Sequence, residues 1–167
     1  MDKLERYLLE YTDGHPIWLE ESRIIFTSNR AGSPQMWEKN LETGEVKQRT
    51  FFNSKVVNMR PYRAGKKILF TLDTNGSENE QPFIIGYDDA EPVALIERPS
   101  VLHRIAGVVD GGKKMAYMCN ARDKKFHDVC LFDFETKEEH IVAENDKHMC
   151  ISPGLSPDGK KMTYYAN

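Results

Sequence analysis

The sequence predicts an all-β, propeller-type fold built from four-stranded antiparallel blades, and three observations point to it. A block in which two polar residues lead into a largely apolar run occurs four times, at 22–29, 66–73, 113–120 and 160–167. Its first apolar residues, Ile24, Ile68, Met115 and Met162, are spaced 44, 47 and 47 residues apart. An aromatic residue (Phe26, Phe70, Tyr117, Tyr164) and an Asn or Asp (Asn29, Asp73, Asn120, Asn167) keep register in every copy. A second block trails the first: 35–46 aligns with 128–139, each a strand, a polar turn and another strand, and 82–89 is a looser middle copy. A further short apolar stretch precedes three of the basic pairs, at 56–57, 105–109 and 150–151. Four short strands per unit of about 45 residues is the period and content of a propeller blade.

In chain order, Asp2 to Tyr11 places Leu4, Leu8 and Tyr11 on one helical face, and Asp2 with Glu5 mimics a capping box. A short N-terminal helix is the first reading there and an added edge strand the second. Residues 12–57, 58–102 and 103–149 then form three blades, and 150–167 supply the first two strands of a fourth. A blade buries its faces only against neighbours, and closed propellers hold about 4–8 blades. Three and a half blades therefore leave open edges that invite association. The expected remedy is a homodimer, two copies giving about seven blades in one ring.

Composition narrows the function classes. The chain has 167 residues, 40% apolar and 29% charged, with a net charge of −3, which suits one soluble globular domain and gives no electrostatic case for nucleic acid or an anionic membrane. No apolar run is long enough to span a bilayer. Three cysteines (Cys119, Cys130, Cys150) without metal-ligand spacing read as reduced thiols in a cytoplasmic protein.

Each motif that carries chemistry meets a plain structural reading. Ser156, in Gly154-Leu155-Ser156-Pro157-Asp158-Gly159, misses the Gly-x-Ser-x-Gly spacing of a nucleophile elbow by one residue. A hairpin turn before a strand accounts for it. His15, His103, His127, His140 and His148 are scattered over different blades, and His148 with Cys150 falls short of the three or four ligands of a zinc site. The segment 73–80 alternates oxygen donors as calcium loops do, but its glycine stands fourth rather than sixth and no glutamate stands twelfth. It reads as a polar loop between the second and third strands of its blade. The lysine pairs at 66–67, 113–114 and 160–161 recur once per blade and read as solvated turns. Trp18, Trp37, Phe26, Phe70, Tyr117 and Tyr164 read as inter-blade core. Because loops carry function more often than cores, Asp73, Asn75, Glu78 and Glu80 in one loop, and Arg122 and Lys124 in another, are the candidate partner contacts. No catalytic, metal or cofactor-binding residue is expected.

At 28–37, followed by Arg49-Thr50-Phe51, the chain resembles the first propeller blade of prolyl-oligopeptidase-family serine peptidases. The segments 77–81, 103–107 and 155–161 continue the resemblance in order, and the last is also a hallmark of TolB-like propeller repeats. The likeness runs from about Gly14 to Asn167. Arg63-Ala64-Gly65 and Asp110-Gly111-Gly112 depart from the Ser-Pro-Asp-Gly turns expected in the second and third blades, yet keep a glycine beside the lysine pair. The resemblance implies a non-catalytic propeller that, in such peptidases, caps an α/β-hydrolase domain and restricts access to it. The Ser, Asp and His of the chemistry lie in that hydrolase domain, so none transfers to this chain. The expected function is protein or ligand binding by a TolB-like module. The alternatives are a portion of a serine peptidase separated from its hydrolase domain, and a TolB-like scaffold for protein contacts.

Overall fold

A computed structural model describes residues 11–147, 150–156, 158 and 160–166. The expected N-terminal helix lies outside these residues except for Tyr11, which belongs to neither helix nor strand. Fourteen strands arrange as three four-stranded antiparallel sheets and one two-stranded sheet. The first holds β1 (Asp13–Trp18), β2 (Arg23–Ser28), β3 (Gln35–Asn40) and β4 (Val46–Gln48), in that spatial order. The second holds β5 (Lys55–Tyr62), β6 (Lys67–Asp73), β7 (Gln81–Gly86) and β8 (Val93–Ala94). The third holds β9 (His103–Val109), β10 (Lys114–Asp123), β11 (Phe126–Asp133) and β12 (Glu139–Ala143). Strands β13 (Cys150–Leu155) and β14 (Met162–Ala166) pair by themselves. Because β5 starts at Lys55, residues 55–57 open the second sheet rather than close the first repeat. No described helix is long and apolar enough to cross a membrane.

The repeated block forms the second strand of each sheet because that strand is covered on both faces. From Ile68 every residue of β6 is buried, as are Met115 to Asn120 of β10. Such strands need apolar residues at consecutive positions, where half-exposed strands only alternate. Between the first and second sheets, Ile17, Ile25 and Met36 pack against Val56, Ile68, Phe70 and Ile85. Leu69 and Ile96 meet Ile105, Met115, Tyr117 and Phe132 between the second and third. Full burial of a side chain such as Phe70 stabilises by about 1.5–3 kcal/mol, so these seams hold the array together. Trp18 differs from the expected core role: it is 52% exposed, because the face of β1 that carries it has no described neighbouring sheet. Phe70 and Tyr117 are fully buried, and Phe26 is 7% exposed.

A polar joint recurs at each seam. Gln35 opens β3, Gln81 opens β7, and Asp128 stands at the matching position of β11, paired with Ser28, Leu72 and Cys119 respectively. Gln35 Nε2 donates to the carbonyls of Phe52 (3.0 Å) and Ser54 (2.8 Å), and its Oε1 accepts from Phe52 N–H (3.0 Å) and the Thr50 hydroxyl (3.0 Å). Gln81 holds Val101 O and Arg98 N–H in the same way, at 2.9 and 2.7 Å. Asp128 accepts from Asn145 N–H at 2.9 Å and from both ends of the Arg122 fork. Each buried side chain thus pins the segment that leaves one sheet for the next, satisfying backbone groups that no ladder reaches.

Candidate functional site

The innermost strands β1, β5 and β9 contact one another in sequence, as the strands around a propeller axis do. Each carries one bulge, a local excess of one residue over its partner strand. The bulges fall between Gly14 and Ile17, between Val57 and Arg60, and opposite Ala116 and Tyr117. A fourth lies between Ile151 and Gly154 in β13. In the first, second and fourth repeats the bulge stands opposite the recurrent aromatic residue (Phe26, Phe70, Tyr164). A bulge bends its strand and re-aims side chains. Here it places His15 (φ 51°) and Asn58 (φ 48°) in left-handed backbone, a conformation that Asn and His tolerate better than most residues.

These bulges open onto a cleft of about 360 Å³ lined by His15, Val57, Asn58, Arg60, Glu80, Arg104 and Ile105. Asn58 Nδ2 donates to Ile105 O (3.3 Å), tying β5 to β9. Glu80 is held from two sides: the Thr71 hydroxyl donates to its Oε2 (2.6 Å), and its carbonyl accepts from His103 N–H (3.0 Å). His103 Nδ1 lies 3.0 Å from that same carbonyl. Burial lowers the pKa of His103, so its ring is neutral, and its Nε2 has no hydrogen-bond partner among the described residues. Arg60 and Arg104 are exposed, and neither enters an ion pair among the described residues. Among the described residues the side chain of Arg60 donates only to the neighbouring Met59 carbonyl (3.0 Å).

Of the loop residues proposed from sequence, Glu80 lines this cleft. Asp73 is buried, bonded to Lys55 Nζ (2.9 Å) and capping the loop through Glu78 N–H (2.9 Å). Asn75 and Glu78 are exposed at left-handed positions of the same loop. Arg122 is occupied by Asp128 and by Asp146 (2.6 Å), and Lys124 donates to Ser100 O. Both loops lie at the sheet ends where β5 and β9 begin, since Lys55 pairs with Asp73 and His103 with Cys119. Ser156 serves its turn: its hydroxyl donates to Asp158 Oδ1 (2.5 Å) and accepts from Lys161 N–H (2.9 Å). The Ser156 hydroxyl and Lys160 N–H hold the Asp158 carboxyl below the ordinary carboxylate range. His148 and the side chain of Cys150 lie outside the described residues. Among the described residues no three His, Cys, Asp or Glu side chains group as metal ligands. Arg60, Asn58 and Arg104 escape sequence reading because only the stacking of separate sheets brings them together; the one local signal is polar residues inside inner strands.

A second surface belongs to the first sheet. Its outward face carries Trp18 and, lining a groove of about 280 Å³ with Arg30 and Lys39, Pro16, Ile24, Phe26 and Val46. The Arg30 guanidinium lies over the rings of Tyr11, Phe26 and Trp37, at 5.7, 5.6 and 5.9 Å from their centroids.

Stacked four-stranded antiparallel sheets with bulged inner strands define a β-propeller fold. No protein-family model and no curated protein matches the chain. Among solved structures it is similar to TolB from Acinetobacter baumannii, at 20% identity and a TM-score of 0.68, over 93% of this chain and 37% of that one. It is similar also to a prolyl endopeptidase, at 15% identity and a TM-score of 0.72, over 95% of this chain and 26% of that one. The tricorn protease gives 12% identity and a TM-score of 0.67, over 91% and 15% of the two chains. The chain thus spans well under half the length of each, and the likeness is one of fold. The described residues contain no α/β-hydrolase domain.

Proposed function

We propose that the chain is a non-catalytic propeller module that works by binding, and that a second copy of itself covers its outward face. The observation that carries this reading is the uncovered face of the first sheet, where Trp18 is 52% exposed beside Pro16, Ile24, Phe26 and Val46. Every other described seam buries such a face against a neighbouring sheet, and an apolar face of this kind marks an association surface. The two-stranded β13–β14 sheet of a second copy is the complementary element, and two copies stacked this way extend one ring. The cytoplasm fits the buried thiols of Cys119 and Cys130, which form no disulfide although their sulfurs stand 3.6 Å apart in a hydrogen bond.

Light scattering coupled to size exclusion tests the reading. A mass near twice 19.3 kDa is expected, falling to 19.3 kDa in the Trp18→Asp variant. A wild-type monomer at micromolar concentration overturns it. A second reading, the propeller portion of a serine peptidase, is favoured by the similarity to a prolyl endopeptidase of which this chain matches 26%. A native polypeptide that continues into a Gly-x-Ser-x-Gly segment would select it. In the third, a TolB-like interaction scaffold, a different protein occupies the same outward face.

A further inference from the structure

We infer that the cleft on the inner strands is a carboxylate-binding site, in which Arg60 and Arg104 take the anionic group of a small polycarboxylic acid or of an acidic peptide. The inference stands apart from the proposed self-association, since the cleft lies on β1, β5 and β9 and not on the outward face of the first sheet.

Other arginines of this protein show what a satisfied guanidinium looks like here. Arg122 forks onto Asp128 at 2.8 and 3.0 Å, Arg98 meets Glu139 at 2.6 Å, Arg30 meets Asp13 at 2.7 Å, and Arg23 meets Asp88 at 2.9 Å. Arg60 and Arg104 line one concavity and have no such partner among the described residues. Two guanidinium groups lining one cleft suit a carboxylate, which accepts a guanidinium fork through two parallel hydrogen bonds. The cleft is also held in place: the left-handed bulge residues His15 and Asn58 form its wall, and the Asn58–Ile105 hydrogen bond fixes β5 against β9. Backbone kept in sparsely populated conformations is commonest where a ligand is clamped.

Glu80 sets the ligand class. Its carboxylate shares the cleft, so any anion there meets one like charge. That repulsion grows with ligand charge density and favours a carboxylate over a phosphate dianion. The neighbouring Thr71 hydroxyl, donating to Glu80 Oε2, draws the glutamate charge aside and leaves the two guanidinium groups as the open donors.

Calorimetric titration of the purified chain at about 0.15 M ionic strength tests this, with citrate, an amidated tri-glutamate peptide and inorganic phosphate as the three probes. Citrate or the peptide should bind, and whichever binds more tightly identifies the carrier of the carboxylate. Arg60→Gln and Arg104→Gln should each weaken that binding about tenfold or more, the loss of one charge-assisted hydrogen-bonded contact. Arg63→Gln removes the same charge from the turn that follows β5, outside the lining of the cleft, and should leave binding within about twofold. Both cleft arginines are exposed, so the variants should keep the near-ultraviolet circular dichroism of the parent. Three results would overturn the inference: no binding of citrate or peptide, phosphate binding more tightly than either, or Arg63→Gln weakening binding as much as the cleft variants.

Discussion

Replacing Gln35 by Leu keeps its volume and removes its hydrogen bonds. The residue is 1% exposed, and its amide serves two carbonyls, one backbone N–H and one hydroxyl in the segment that leaves the first sheet. Thr50 is itself buried, so its hydroxyl proton would lose its acceptor with no water at hand, at about 1–3 kcal/mol. Phe52 and Ser54 are only half-buried, and water can reach their freed groups, so each of those bonds counts for about 0.5–1.5 kcal/mol. Together the loss comes to about 2.5–7.5 kcal/mol, a large share of the 5–15 kcal/mol that holds a typical domain folded. Urea unfolding followed by tryptophan fluorescence suits the measurement, because both tryptophans, Trp18 and Trp37, lie in the first sheet. At an m-value of about 2 kcal/mol per molar, the midpoint should fall by roughly 1.2–3.8 M. Gln35→Glu should do no better at neutral pH, since it turns a carboxylate oxygen toward the Phe52 and Ser54 carbonyls. A midpoint shift below about 0.5 M for Gln35→Leu would refute the view that this amide fastens the first sheet to the second.

At the third seam the same joint is a carboxylate and therefore depends on pH. Burial raises the Asp128 pKa, but Arg122 and the Asn145 N–H more than offset this and hold it below the ordinary value. Its stabilisation is thus complete above the unfolded pKa of about 3.9 and is lost as pH falls through the lower folded value. Thermal unfolding should find the parent more stable than Asp128→Asn at pH 7, with the gap closing below about pH 4. Arg49 clamps the first sheet to the turn after β7, donating to the carbonyls of Tyr87 (2.7 Å) and Asp89 (2.9 Å) while paired with buried Glu38. Arg49→Lys, with no fork to span both carbonyls, should lower the unfolding free energy by about 1–3 kcal/mol in the same urea experiment.

The repeat made the sheets legible. The register of Phe26, Phe70 and Tyr117 located the second strand of each sheet, and the alignment of 35–46 with 128–139 paired Gln35 with Asp128, two residues with one structural duty. The loop 73–80 was read correctly as a connection between β6 and β7, yet Asp73 turned inward to Lys55. Whether an acid in a polar loop faces solvent or a lysine on the next strand depends on packing that composition does not encode. Trp18 shows the same limit from the other side, because strand spacing marks an apolar face but cannot say whether another sheet covers it. The cleft was least legible. Arg104 sits in β9 and Arg60 in β5, and they share a cleft only because bulges and stacking bring these strands together across more than forty residues of chain.

The joint at the head of each third strand has a consequence for how such arrays grow. The residue that fastens one sheet to the next lies inside the repeated unit, so duplicating the unit duplicates its fastener. No dedicated linker has to arise for an added sheet to be secured. Within an array of this kind, the number of sheets is free to change while the chemistry between them stays the same, and a seam accepts either an amide, as at Gln35 and Gln81, or a carboxylate, as at Asp128.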